Sequence, residues 1–290
     1  MKKDKKVRNT LAEREAGKSW LFLLPSLSGI TVFVLLPFMD VIRRSFCDAM
    51  GRKFVGLANY KLVLNNKAFQ LAAGNTARFI ITCIPALLLA SLGLSLLLQK
   101  QQRRKEFLKT SFLLPMAIPV ASVVLLWRLL FHGNGLINAF LVHIGMEKMD
   151  FMNSGKAFII LIITYLWKNT GYDMILWLTG LNGISASLYE AAAVDGAGRW
   201  AGFRYITLPQ LVPTTVVITI LSFVNSFKVF REAYLISGDY PDKSIYMLQH
   251  LFNNWFLSLD IQKMTAAAVL CIIIFVLLIL LFKKFYRDEE

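Results

Sequence analysis

Asn225, Ser226, Lys228 and Arg231 interrupt an otherwise apolar run of this 290-residue chain with side chains that can do chemistry. Asn225 and Lys228 are three apart, as are Lys228 and Arg231, so on a helix they fall on adjoining parts of one face. An amide, a hydroxyl, an ammonium and a guanidinium together offer donors and acceptors to a polar ligand. The two cations also attract an anionic group such as a carboxylate or a phosphate. An interior ion pair, Lys228 or Arg231 with Glu232 or Asp173, that serves only to pack helices accounts for the same residues. Asn169 and Asp173 lie in a similar polar interruption, residues 167–173, of another apolar run. A charge in mid-membrane is costly, so both interruptions are expected to face protein or water.

A third set is built for docking. Ser187, followed by Tyr189-Glu190-Ala191-Ala192-Ala193, supplies a hydroxyl cap, an early acid and good helix formers, so a short helix is expected. Asp195-Gly196 then allows a turn through the left-handed region. Trp200, Phe203 and Tyr205 are expected to act as aromatic anchors before Pro209 introduces the next apolar run. The expected product is a compact helix-turn-helix knob whose negative first turn seats in a groove on a soluble partner.

The elements that must position these residues are membrane helices. Hydrophobic residues make up 56% of the chain and charged residues 17%, and the apolar residues come in long runs. About 20 apolar residues cross a bilayer as a helix, which predicts about six spans. They fall near 19–39, 76–99, 107–131, 157–181, 210–236 and 265–283. The first lacks a small-residue cleavage site and further spans follow it, so it is expected to remain in the chain.

Lys and Arg beside the spans set the expected orientation, with both termini cytoplasmic. Residues 1–18 read as a basic cytoplasmic tail, 19–45 as the first transmembrane helix and 46–71 as an extracellular loop. Arg43, Arg44, Arg52, Lys53, Lys61 and Lys67 are the main exception to the charge rule there. The formal net charge of +14 is carried by cations flanking apolar spans, which points to anionic lipid headgroups and not to nucleic acid.

In the third span Pro115 and Pro119 each remove a backbone donor and favour a kink; prolines are also common in membrane helices generally. Residues 135–145 read as a short amphipathic helix at the outer surface. Cys47, Cys83 and Cys271 have no metal-binding or disulfide spacing, and His132, His143 and His250 are expected to sit alone on outer loops. GxxxxGK[ST], HExxH and GxSxG are all missing, so neither an ATP site, a zinc site nor a nucleophile elbow is expected.

The loop pattern has a wider resemblance. Glu190-Ala191-Ala192, three residues, Gly196, nine residues, Ile206, one residue and Leu208-Pro209 resembles the EAA motif of ABC importer permeases with every spacing intact. The likeness extends to Phe54-Val55-Gly56-Leu57 with Asn59-Tyr60, to Leu114-Pro115 with Pro119 and Trp127, and to Trp167 with Asn169 and Gly171-Tyr172. Together with Gly135, Asn138 and Gly145, these look like the first of two paired carbohydrate permeases.

The resemblance implies an all-α polytopic membrane protein with the type I ABC importer permease fold and a permease domain over 72–285. It also implies a coupling loop at 185–209, whose contacts with an ATPase fall to Glu190, Ala191, Ala192, Asp195, Gly196, Trp200, Ile206, Leu208 and Pro209. The implied partners are a second homologous permease, two cytoplasmic ATPase subunits and an extracellular solute-binding protein, in a bacterial cytoplasmic membrane. No cofactor is implied on this chain; ATP and magnesium belong to the ATPases.

The chain departs from the pattern at Ile184-Ser185, Phe230-Arg231 and Ser237-Gly238-Asp239-Tyr240-Pro241, which weakens transfer of any particular sugar. Ionisable residues within the spans keep a stand-alone ion-coupled transporter as the alternative. A membrane-embedded enzyme lacks a catalytic constellation.

Overall fold

In the computed structural model, residues 23–99, 101 and 105–287 are described. The basic tail expected at 1–18 lies outside them. Thirteen helices organise the described residues, and the only β pairing among them is an isolated bridge between Cys47 and Phe54. The described residues divide into two compact units, residues 23–64 with 259–273, and the described residues of 65–258 with 274–287.

In the first unit, α1 (Leu23–Ser45) is a 23-residue apolar helix that includes a π turn at Thr31–Leu35. Its apolar side chains are mostly exposed, as expected of a helix solvated by lipid. The loop after it closes through side chains in α2 (Ala58–Leu64). Asn59 Nδ2 donates to the carbonyls of Ser45 and Cys47 at 2.9 and 2.7 Å, and the Tyr60 and Ser45 hydroxyls meet at 2.7 Å. The apolar anchors of this loop are Tyr60 and Val63, both buried. Phe54 and Leu57 face out. Asp48 accepts from the backbone N–H groups of Arg52 and Lys53, which hold its carboxyl below the usual range.

The second unit is built on α3 (Lys67–Gln99) and α7 (Ala157–Asn182). These two helices pack along their lengths, and α4 (Lys105–Ala117) and α10 (Val212–Ser226) lie against α7. Phe79, Cys83 and Leu87 of α3 meet Phe158, Leu161 and Tyr165 of α7 in one cluster. Trp177 and Leu181 meet Leu211 and Ile218 in another. Polar atoms on these faces pair across helices: Trp177 Nε1 donates to Ser91 Oγ at 3.0 Å, and Ser222 Oγ to Asp173 at 2.8 Å. Gly171 permits the closest crossing, because a Cβ there would overlap the backbone carbonyl of Phe112 in α4.

Five helical stretches among the described residues are long and apolar enough to cross a membrane: Leu23–Ser45, Lys67–Gln99, Val120–His143, Val212–Leu235 and Ile261–Leu281. The fourth expected span, 157–181, is the continuous 26-residue helix α7. It is long enough but falls outside that set, because the polar run at 167–173 lowers its apolarity.

The third expected span, 107–131, is not one kinked helix. It divides into α4 and α5 (Val120–Phe131), and the division falls at Pro119, whose ψ of 140° leaves the helical region. Pro115 stays inside α4. After a turn, α6 (Leu136–His143) follows as expected. Asn138 secures it, donating to the carbonyls of His132 and Met149 and accepting from Met149 N–H.

Beyond α10, a 3₁₀ turn leads to α11 (Phe230–Ser237), then α12 (Leu248–Leu257) and α13 (Ile261–Arg287). His250 is not on an open loop: it is buried in the first turn of α12, where Nδ1 accepts from Met247 N–H at 3.1 Å. Burial pushes its imidazole down to about 4, so it is neutral at ordinary pH.

Candidate functional site

Two places gather the candidate residues. The first is the connection between α7 and α10. Here α8 (Ala186–Val194) begins at Ser185, whose side chain accepts from Ser187 N–H. Ser185, not Ser187, is therefore the N-cap, and Glu190 stands beyond the first turn, so that turn carries no acid. The departure at Ser185 thus has a local use: a hydroxyl caps the helix where the resembled family often has proline.

The far end of α8 closes as a Schellman motif, with Ala197 N–H on the Ala192 carbonyl at 2.8 Å and Gly196 N–H on the Ala193 carbonyl at 3.1 Å. This closure needs a left-handed residue, and Gly196 supplies φ +80°. The spacing from Glu190 to Gly196 is thereby explained in backbone terms. A second short helix, α9 (Arg199–Gly202), runs on through a π turn at Phe203–Thr207 to Leu208–Gln210 and then α10.

The two arms are joined by the Tyr189 hydroxyl, 2.8 Å from Thr207 Oγ1, and the Tyr189 ring lies against the space beside Gly202. The aromatic anchors are thus only partly those expected. Phe203 is half-buried, whereas Trp200 is 73% and Tyr205 75% exposed. Glu190, Ala191, Asp195, Gly196 and Pro209 are exposed as well, with Ala192, Ile206 and Leu208 half-buried. Val194, Trp200 and Tyr205 form no part of a described core, and exposed apolar groups on so small a knob mark a contact surface.

The second place is a cavity of about 420 Å³ beside the Pro119 break. The break contributes residues 116–120; α7 contributes Tyr165, Lys168 and Asn169; and the α10–α11 stretch contributes Asn225, Lys228, Val229, Arg231 and Glu232. Lys168 Nζ lies 2.9 Å from Glu232 Oε1, a pair whose side chains are only 13% and 8% exposed. Lys228 Nζ donates to Asn225 Oδ1 at 2.7 Å, and Asn169 Nδ2 to the Tyr165 carbonyl at 2.8 Å.

Four of the six expected path residues, Asn169, Asn225, Lys228 and Arg231, therefore line one cavity. Asp173 and Ser226 do not. Both are buried, Asp173 against Ser222 and Ser226 donating to the Phe223 carbonyl at 2.6 Å. The ion pair differs from the one expected, since Glu232 is held by Lys168 and not by Lys228 or Arg231. Lys168 was visible only as a charge inside an apolar run; its partner is 64 positions away, a separation that spacing along one helix does not address. Among the described residues no group of three or more His, Cys, Asp and Glu side chains is placed to hold a metal ion.

Proteins of similar sequence include transport system permeases. The trehalose/maltose transport system permease protein MalF of Thermococcus litoralis is 29% identical over 294 residues, covering 98% of this chain and 100% of that protein. The lactose transport system permease protein LacF of Rhizobium radiobacter is 29% identical and covers 98% of each chain. The fold matches a chain of a bacterial ABC transporter involved in the import of the acidic polysaccharide alginate, with a TM-score of 0.82 and 22% identity over 96% of this chain and 98% of that one. Residues 86–287, well over half of the chain, match the family described as binding-protein-dependent transport system inner membrane component, and the chain belongs to that family of multi-pass cytoplasmic-membrane proteins.

Proposed function

We propose that this chain is the permease subunit through which an ATP-driven importer moves a carbohydrate delivered by an extracellular solute-binding protein. A second, homologous permease completes the path, and two cytoplasmic ATPase subunits bind ATP and magnesium and supply the energy. The named relatives that carry trehalose, maltose or lactose support the carbohydrate class. In this reading both termini and the 185–209 loop face the cytoplasm, with lipid around the exposed apolar helix faces.

The observation that carries this reading is the 190–209 loop. Its EAA spacing corresponds to a capped helix and a glycine closure, and its apolar side chains stand free for a partner. Glu190, Asp195 and Trp200 present charge and aromatic surface, while Tyr189 and Thr207 tie the loop to the start of α10. A push on the knob is therefore delivered to α7 and α10 as a rigid displacement. Within the membrane, residues lining the cavity contact the sugar as it passes.

Reversing Glu190 to Lys tests the coupling role: ATP-driven uptake or association of the ATPase subunits is expected to fall while membrane insertion is unchanged. Unchanged uptake and assembly would sink the role given to Glu190. Uptake by the purified complex that persists without ATP and follows an ion gradient would replace the whole reading with a secondary transporter.

A further inference from the structure

Charge in the cavity beside Pro119 does not balance. Three cations, Lys168, Lys228 and Arg231, line it with one carboxylate, Glu232. Lys168 and Glu232 neutralise each other at 2.9 Å. Lys228 has only the neutral amide oxygen of Asn225, and Arg231 makes no hydrogen bond or ion pair among the described residues. Two positive charges thus remain one helical turn apart within the apolar stretch Val212–Leu235. Both side chains are exposed in this single chain, and charges at that depth are kept where protein, water or a bound group meets them.

A second observation points toward a ligand. Glu232 is 6% exposed, and its Oε2 has no partner, although Oε1 is held by Lys168. A buried carboxylate oxygen without a donor is costly, and a hydroxyl group would satisfy it. The cavity volume of about 420 Å³ falls in the range of ligand clefts. A neutral sugar hydroxyl satisfies Glu232 but leaves Lys228 and Arg231 uncompensated. A sugar bearing a carboxylate satisfies all three, since guanidinium and ammonium groups bind carboxylate through short charge-assisted hydrogen bonds.

We infer that the cavity selects an acidic sugar, with Lys228 and Arg231 binding its carboxylate and Glu232 Oε2 accepting from a neighbouring hydroxyl. This rests on the carbohydrate path proposed above and narrows it to one charge class. Lys228 and Arg231 set the specificity; the Lys168–Glu232 pair positions the accepting oxygen.

Protection of a cysteine in the cavity wall from a maleimide tests the assignment without depending on what the binding protein recognises. Ala117→Cys is introduced, and the transporter is purified with its second permease and ATPases. Trigalacturonate and its neutral counterpart galactotriose are then titrated at constant ionic strength. Trigalacturonate is expected to protect at a concentration at least tenfold below that needed for galactotriose. Lys228→Gln with Arg231→Gln is expected to abolish the advantage, whereas Lys228→Arg retains it.

Equal protection by the two sugars, or an advantage that survives the paired Gln variant, would overturn the acidic preference and leave the carbohydrate path standing. Protection by neither would overturn both. Loss of the second permease from the purified complex in the paired Gln variant would instead assign the two cations to an ion pair between permeases, and would equally overturn the inference.

Discussion

The 190–209 loop and the cavity beside Pro119 are organised in opposite ways. The loop is a local construction: a serine cap, nine helical residues and a Schellman closure hold it through backbone bonds among near neighbours, and its distinctive side chains are left exposed. The cavity has no local scaffold. Its walls come from three separate stretches of chain, and its polar groups are placed by helix packing and by an ion pair between α7 and α11. A local construction keeps its shape while its partner moves, which suits a part that passes on force. A composite one changes as its helices shift, which suits a compartment that must open and close.

If this contrast is right, the cavity should suffer most from changes far from any ligand. Removing Lys168 alone, as Lys168→Met, strands the buried carboxylate of Glu232 and is expected to destabilise the fold by about 3–5 kcal/mol; Lys168→Met with Glu232→Met should recover most of the loss. Thermal unfolding of the purified complex reads both. Equal losses in the single and double variants would mean that the pair holds nothing together.

Next in size is the crossing of α4 and α7, whose position sets one wall of the cavity. Gly171→Ala places a methyl group against the Phe112 carbonyl, which has no free side chain to yield, and should cost about 3 kcal/mol. Gly93→Ala, in α3 with open space around it, is the control and should be neutral or slightly stabilising. Similar melting temperatures for the two variants would break the argument for a packed, composite cavity.

Changes in the loop should spare the fold and strike the coupling. Glu190→Lys is expected to lower ATP-driven uptake about tenfold with the melting temperature unchanged, as when a charge is reversed within a docking surface. A lowered melting temperature would show that the loop is part of the folded core. The smallest effect belongs to Gly196→Ala, which forces a side chain into the left-handed region at a cost of about 1–2 kcal/mol confined to α8. Hydrogen exchange of the amides at 196 and 197 should quicken in Gly196→Ala but not in Gly198→Ala, where φ is negative.

The same contrast decides what can be read from the sequence. Loop geometry is encoded by neighbours, so the glycine turn and the two-armed knob are legible from spacing alone. The cap is less legible: Ser185 and Ser187 are both hydroxyl residues two positions apart, and only backbone geometry shows which one caps. The apolar runs likewise reveal the membrane helices, since lipid imposes one rule on every span.

The cavity is legible only in part. The face shared by Asn225, Lys228 and Arg231 follows from helical spacing, but the pairing of Glu232 with Lys168 is set by which helices become neighbours. The two prolines of the third span are equivalent as letters. Whether the chain bends or breaks depends on the ψ value that packing permits, and here it breaks at Pro119 alone. Asp173 shows a related case: Ser222 Oγ donates to one of its carboxylate oxygens from another helix, a pairing that spacing along one helix does not reveal.

The break at Pro119 also bears on hydration. Pro119 has no N–H to offer the carbonyl of Pro115, and Pro115 has none for that of Ser111. In hydrocarbon such carbonyls would each be costly, and irregular backbone at membrane depth persists only where protein or water meets it. Residues 116–120 line the cavity, so the irregular backbone of the break borders a space that water can fill. On the proposed path, the break would make this part of the protein a wet chamber, where a sugar exchanges one hydrogen-bonded shell for another without being stripped dry.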